Sequence, residues 1–285
     1  MSKLKIAVQK SGRLSEKSLE LLSECGIRLE NGERKLKTIS SNFPIEILFL
    51  RDDDIPQYVE QGVADIGIIG ENEVWEKNKN INIVKKLGFA GCRLSLAIPK
   101  DADYPGITYF DNKRIATSYP VILQKFFNGT NIKVEIETIS GSVEIAPGIG
   151  LADCIFDIVS TGSTLQINGL KEVEVVTTSE AVIISNPELG ASKKEILKSF
   201  LFRIQSVKNA AENKYILLNA PNSSIDEIAS LLPGMKSPTI LPLNEKGWSS
   251  MHSVIKEDEF WDIIDKLKYL GAQGILITNV EKMIL

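Results

Sequence analysis

One block of this chain occurs twice, and that duplication constrains the fold more than any other feature. Ile45–Gly70 reads as a strand, a polar turn, a short helix, Gly62-Val63-Ala64-Asp65, the apolar run Ile66–Ile69 and a glycine. Val134–Gly162 repeats that order, with Gly150-Leu151-Ala152-Asp153 in place of Gly62–Asp65. An apolar run between glycines is what a parallel strand buried on both faces requires. Strand–helix–strand order implies an α/β sheet with ligands at the carboxyl ends of its strands. Two readings stay open: a chance likeness of two common βαβ units, or two related lobes facing each other across a cleft. Cys92–Pro99, leading out of the first lobe, and Glu172–Ser185, a strand returning to it, favour the second.

The flanks complete the pattern. Leu4–Val8 is a strand, Gln9–Arg13 a polar turn, and a helix starting near Ser15 shows Leu19, Leu22 and Cys25 on one face before Gly26 stops it. Asp54 is placed to cap a short helix with Pro56 in its first turn. Beyond about residue 210 the character changes. Tyr215–Leu218, Thr239–Leu243, Ser249–Ile255 and Gly274–Thr278 read as strands, and Ser224–Leu232 as a helix. Asp258–Leu270 is an amphipathic helix with Phe260, Ile263, Ile264, Leu267 and Leu270 at helical spacing and Gly271 past its end. The order βαββαβ is the ferredoxin-like split arrangement, a separate small domain.

A length of 285 residues favours two or three domains. The net charge of −4, with acids and bases interspersed, argues against an extended nucleic-acid surface but leaves room for a local basic pocket. No signal core follows Met1 and no window approaches 18 uninterrupted apolar residues, so a cytoplasmic protein is expected, with no membrane partner. Cys25, Cys92 and Cys154 are scattered and read as reduced thiols; with His252 the one histidine, a zinc site is not expected.

The chemistry concentrates in Asp153–Leu165, where a buried strand ends in Ser160-Thr161-Gly162-Ser163-Thr164. Successive backbone N–H groups in such a turn converge, and the hydroxyls add donors, making a site for a phosphomonoester. Asp157, just before the loop, suits sugar hydroxyls or their Mg²⁺. The competing reading is a Ser/Thr-rich turn that merely caps a helix. No lysine follows the glycine as in a Walker loop.

The acidic residue, apolar pair and Thr-Gly-x-Thr loop resemble the phosphoribosyl-diphosphate motif of phosphoribosyltransferases. Seven further segments resemble the ATP phosphoribosyltransferase family: Val8–Arg13, Arg51–Pro56, Gly67–Asn72, Gly91–Leu96, Arg114–Pro120, Gly141–Glu144 and Ser237–Ile240, with Gly150–Gly169 completing the order. The resemblance implies an α/β fold of two periplasmic-binding-protein-like (type II) lobes and, for the long form, a ferredoxin-like (ACT-like) regulatory domain. On that basis residues 1–97, completed by about 180–209, form catalytic lobe I; 98–179 form lobe II with the phosphoribosyl-diphosphate loop; 210–285 form the regulatory domain.

The implied reaction joins adenine ring nitrogen 1 of ATP to the anomeric carbon of phosphoribosyl diphosphate, releasing pyrophosphate, at the start of histidine biosynthesis. The resemblance implies phosphate clamps at Lys10, Arg13, Arg51 and Arg93. It implies phosphoribosyl-diphosphate contacts at Glu144, Asp153, Asp157, Ser160, Thr161, Gly162, Ser163, Thr164 and Leu165. Asp153 and Asp157 replace the usual adjacent acidic pair, and either can meet the ribose. ATP contacts are expected at Gly12, Asp52, Glu71 and Tyr119. The resemblance implies Mg²⁺ as cofactor, held mainly by substrate phosphates, with Asp157 as the protein carboxylate able to join them. Histidine is expected to inhibit through Asn219, Thr239, Leu241 and Ala272, with AMP as a second candidate regulator and homo-oligomers from dimer to hexamer. Each of these residues taken singly also reads as ordinary surface, cap or packing. The rivals are a prephenate dehydratase-like enzyme, whose Thr-Arg-Asp-Phe motif is absent, and a non-enzymatic two-lobed sensor.

Overall fold

The computed structural model describes residues 2–30 and 36–285. β1 (Leu4–Gln9) leads into α1 (Arg13–Glu24), β2 (Lys37–Ile39), β3 (Ile45–Leu50), α2 (Ile55–Glu60), β4 (Ile66–Gly70), α3 (Glu71–Lys77) and β5 (Asn82–Lys86). β6 (Cys92–Pro99) enters a second sheet and is followed by β7 (Lys113–Thr117), α4 (Pro120–Phe127), β8 (Val134–Thr138), β9 (Cys154–Val159), α5 (Ser163–Ile167) and β10 (Leu170–Ser179). β11 (Ala181–Ser185) returns to the first sheet, and α6 (Ala191–Ala211) follows.

The sheets run β2-β3-β1-β4-β11-β5 and β10-β6-β9-β7-β8. In each, the duplicated strands pair in parallel, β3-β1-β4 in one and β8-β7-β9 in the other. These two sheets belong to one unit, and residues from Leu197 onward, with Glu24–Gly26, form another.

Burial follows the apolar runs. Ile6, Ala7, Val8, Ile66, Ile68, Ile69 and Val182–Ile184 are fully buried. Removing one such side chain from water contributes roughly 1.5–3 kcal/mol. A Cβ on Gly67 would sit 2.6 Å from Ile55 Cγ2, so that glycine lets α2 lie against β4. Pro56 occupies the first turn of α2 as expected, but Asp54 at the N-cap makes no side-chain capping bond.

Two expectations need correcting. The returning segment Glu172–Ser185 is two strands, divided at Glu180. β10 is an edge strand carrying half-buried Glu172, Glu174 and Thr177, whereas Ala181–Ser185 is wholly buried between β4 and β5. The change from mixed to apolar composition marks the crossing between sheets. Helix α1 starts at Arg13 rather than Ser15, and it buries Ser15, Ser18, Leu21 and Leu22 while Leu19 stays half-buried. Small serines let the helix approach closely, and Ser18 Oγ satisfies itself on the Leu14 carbonyl at 2.6 Å.

The second unit carries β12 (Asn213–Pro221), α7 (Ile225–Leu231), β13 (Thr239–Pro242), β14 (Trp248–Lys256), α8 (Glu257–Tyr269) and β15 (Gln273–Asn279). Its sheet order is β13-β14-β12-β15 with every neighbouring pair antiparallel. Ile216, Leu218, Ile228, Met251, Phe260 and Leu267 form its core. Cys25, Cys92 and Cys154 are unpaired. No helix among the described residues is long and apolar enough to cross a membrane.

Candidate active site

The duplicated tetrapeptide has the same job in both copies. The Lys5 N–H donates to Asp65 Oδ2 at 2.8 Å, and the Asp65 N–H donates to the Lys5 carbonyl at 2.9 Å. In the second copy the Arg114 N–H donates to Asp153 Oδ2 at 2.9 Å, and the Asp153 N–H to the Arg114 carbonyl at 2.9 Å. Each aspartate therefore ties the amino end of one parallel strand to its neighbour. Each also has a cation, Lys193 at 2.7 Å from Asp65 and Arg114 at 3.5 Å from Asp153. The Arg114 backbone N–H, then its guanidinium, hold the Asp153 carboxyl below its ordinary range. Asp153 thus sits at the opposite end of β9 from the loop, about 20 Å away for six residues of strand. That placement argues against its expected phosphoribosyl-diphosphate contact.

The carboxyl ends of the two sheets come together because the chain crosses between them there. Ser179 pairs with Cys92 at the end of β10, and Ala181 pairs with Gly70 at the start of β11. Arg93 in turn pairs with Val159, the last residue of β9. Ser179 Oγ donates to Asn72 Oδ1 at 2.8 Å and accepts the Asn72 N–H at 3.0 Å, fastening the crossing to α3. A depression at this junction is lined by Glu71, Lys86, Cys92, Arg93, Ser160 and Ser179.

The loop after β9 is open to solvent at its hydroxyls. Gly162 has φ +82°, a left-handed conformation that disfavours any residue with a Cβ, and it is the N-cap of α5. Thr161 Oγ1 and Ser163 Oγ lie 2.9 Å apart, and Ser160, Thr161, Ser163 and Thr164 are exposed while Leu165 is buried as the anchor. Asp157 is half-buried. Burial pushes its carboxyl up to about 6; the Ile158 N–H, donating at 2.7 Å, opposes the rise, and the charge of Glu144 adds to it.

Tyr119 gathers residues of both lobes. It follows β7, and its phenol is raised well above its ordinary range by burial and then by Glu73, Asp157 and Asp52. Glu73 on α3 is itself pushed up to about 7, by burial first and then by Asp52. Asp52, in the turn after β3, takes a long 3.5 Å bond from Gln9 Nε2. The charges of Asp52 and Asp157 thus both bear on Tyr119, and that of Glu144 bears on Asp157. Among the described residues no group of three or more His, Cys, Asp or Glu converges to hold a metal.

The basic residues divide. Lys10, Gly12 and Arg13 are exposed on the turn after β1, and the Lys10 N–H donates to the Leu50 carbonyl at the end of β3. Arg51 is exposed, with its Nε 3.3 Å from Asp53 Oδ1. Arg93 is committed elsewhere: Nη2 donates to Glu172 Oε2 at 2.6 Å and Nη1 to the Ser160 carbonyl at 2.9 Å. It braces the loop rather than standing free as a clamp. Glu71 is buried and bonded to Lys86 Nζ at 2.9 Å, and its N–H donates to the Glu180 carbonyl, which makes it part of the crossing.

In the second unit, Asn219 pairs with Ser250 and Gln273, and Leu241 pairs with Ser250 from the other side. Thr239 lines a concavity with Tyr215 and His252, whereas Ala272 lines a different one with Trp261 and Ile264. One chain does not bring those four residues into a single pocket. Sequence reasoning also missed Glu73, Glu76 and Glu172. Two acids three apart in a short helix after a buried strand are the signal that was there to read.

A family model described as ATP phosphoribosyltransferase matches residues 51–206, and one described as HisG, C-terminal domain, matches 210–282. The chain is 58% identical over 281 residues to an ATP phosphoribosyltransferase of Bacteroides thetaiotaomicron, covering 99% of each protein. Among solved structures it is similar to an ATP phosphoribosyl transferase (HisG:HisZ) complex from Thermotoga maritima, at 33% identity and TM-score 0.62 over 71% of this chain and 96% of that one. A substrate-binding protein of an amino acid ABC transporter aligns at 11% identity and TM-score 0.51 over 74% of this chain and 95% of that one, a likeness of fold alone.

Proposed function

The chain belongs to the ATP phosphoribosyltransferase family and condenses ATP with phosphoribosyl diphosphate in the first step of histidine biosynthesis, and we propose that the Ser160–Leu165 loop grips the 5-phosphate. The observation that carries this reading is the left-handed Gly162 at the N-terminus of α5, flanked by exposed hydroxyls. Asp157, with Glu144 beside it, takes the ribose side; Asp153 is a strand tie. Tyr119, Gly12 and Asp52 take the ATP side, and Lys10, Arg13 and Arg51 neutralise phosphates. Arg93 acts through the Ser160 carbonyl, and Glu71 through the crossing between lobes.

The attacking adenine nitrogen has a lone pair and no proton to lose, so no strong general base is needed. Barrier lowering then comes from orienting two anionic substrates and from charge neutralisation as pyrophosphate leaves an oxocarbenium-like carbon. Orientation of this kind supplies about 7–11 kcal/mol. The hard carboxylate oxygens of Asp157 and Glu144 beside a phosphate turn suit Mg²⁺ carried on the substrate, where it would offset diphosphate charge.

The carboxy-terminal residues 210–285 are read as a ferredoxin-like, ACT-like regulatory domain, a reading supported by the antiparallel order β13-β14-β12-β15. In this reading histidine binds there at Asn219, Thr239, Leu241 and Ala272, with AMP as co-regulator. Thr239 and Ala272 line different concavities, which supports contributions from two subunits of a dimer or hexamer in the cytoplasm. The test is to mix the protein with ATP, phosphoribosyl diphosphate and Mg²⁺, with and without histidine, and follow pyrophosphate release. Absence of release would sink the catalytic reading; release indifferent to histidine would sink the regulatory one.

A further inference from the structure

Helix α4 begins without a cap of its own. Its N-cap residue is Tyr119 and Pro120 follows, and no side chain of that segment bonds the free N–H groups of the first turn. The first N–H groups of a helix need partners and favour negative charge. The partner comes from the other lobe. The Val121 and Ile122 N–H groups donate to the two carboxylate oxygens of Glu76 at 3.1 Å each. Glu76 lies on α3, one turn after Glu73, so both carboxylates occupy the same face of that helix. Glu73 lies near enough to the Tyr119 phenol for each to shift the other's titration, and it accepts a hydrogen bond from Asn72 Nδ2 at 3.1 Å. Between them in sequence, Trp75 packs against the apolar core of lobe II. Glu73 is 7% exposed and Glu76 9%. Burying two carboxylates is costly unless each is bonded; Glu76 is bonded across the lobes by the two α4 N–H groups, and Glu73 on its own helix by Asn72.

We infer that Glu73 and Glu76 are positioning residues: from lobe I they hold the β7–α4 turn of lobe II, and so fix Tyr119 where it meets ATP. The inference rests on the reading of Tyr119 as an ATP-side residue. Glu76 sets the turn through the backbone of α4, and Glu73 sets the direction of the phenol.

The test uses the full-length protein and four variants, Glu73→Gln, Glu76→Gln, Glu76→Asp and Tyr119→Ala, with Tyr119→Phe for a double-variant cycle. Glu76→Gln keeps an acceptor for one of the two α4 N–H groups and turns an amide NH₂ against the other. It should lower kcat/KM for ATP by about tenfold to a hundredfold, the scale of a misplaced positioning group. The KM for phosphoribosyl diphosphate should move less than about twofold, because the Ser160–Leu165 loop is held separately. Glu76→Asp keeps the charge and should recover part of the loss. Glu73→Gln combined with Tyr119→Phe should lose no more than the worse single variant, since both remove the same contact. Multiplied losses in that cycle, or a lowered melting temperature with unchanged kinetic constants in Glu76→Gln, would overturn the inference. A silent Tyr119→Ala would overturn the ATP-side reading and this inference with it. A damaging Tyr119→Ala beside silent glutamate variants would overturn the inference alone.

Discussion

The two duplicated units begin alike and end differently. Asp65 and Asp153 make the same pair of backbone bonds at the amino ends of β4 and β9. At the carboxyl ends the likeness stops. After β4 the chain turns at Gly70 into α3, whose first residues Glu71, Asn72 and Glu73 are buried; Glu71 is bonded to Lys86, Asn72 to Ser179, and Glu73 lies near the Tyr119 phenol. After β9 it turns through Ser160–Gly162, whose hydroxyl groups face solvent. One tip is spent on joining the lobes, and the other keeps its hydroxyl groups exposed, bonded to one another and open to a ligand. A repeated scaffold fixes where a loop emerges; the residues at the tip decide whether it locks or binds.

The sharpest way to break that comparison is at Gly162. Valine there must adopt φ near +82° with a branched side chain, at the N-cap of α5. Phosphoribosyl-diphosphate binding should weaken by a hundredfold or more on an order-of-magnitude scale, while far-ultraviolet circular dichroism stays unchanged. Thr161→Val removes one hydroxyl and should cost about tenfold, near the value of one hydrogen bond to a charged group. Unchanged substrate affinity in both variants, measured by isothermal titration, would mean the two tips do not differ in function.

A smaller effect separates the two aspartates of the second unit. Asp157→Asn should reduce turnover by about tenfold to a hundredfold if the carboxylate meets the developing positive charge. Asp153→Asn should leave kcat within about threefold, because that residue is a strand tie with its counterpart in Asp65. The reverse order would return the ribose to Asp153.

Much of this was legible in the residues. Gly62–Asp65 and Gly150–Asp153 disclosed the duplication, because apolar runs bounded by glycines leave few other folds. The Ser160–Thr164 loop was legible because its composition is local. The break at Glu180 was harder, since a strand leaving one sheet and a strand joining another share the same periodicity. The spacing of Glu73 and Glu76 was there to read, but the partners were not: the commitments of Arg93 to Glu172 and of Glu76 to α4 have no local signal. They join residues far apart in sequence, and a buried glutamate looks the same as an exposed one until its partner is known.

The finest test reads the same two aspartates through stability, where their signs oppose. Asp157 has a carboxyl raised to about 6 by burial, so the folded protein holds that proton more tightly than the unfolded chain. Its contribution is present below the ordinary carboxylate value and is lost as pH rises through about 6. At pH 7.5 the charged group is a burden, and Asp157→Asn should raise the melting temperature. The gain is on the order of 1 kcal/mol after solvent screening, or about 2–4 °C, and it should vanish near pH 4. Asp153 runs the other way. Its carboxyl is lowered by the Arg114 N–H, so its contribution is present above the ordinary value and is lost as pH falls through the lowered one. Asp153→Asn should therefore lower the melting temperature at pH 7.5 by about 2–4 °C, the loss of a hydrogen bond worth about 1 kcal/mol. A scan of both variants from pH 4 to 8 separates a site residue held at a cost from one that holds the fold. Shifts of the same sign at pH 7.5 would erase the distinction between them.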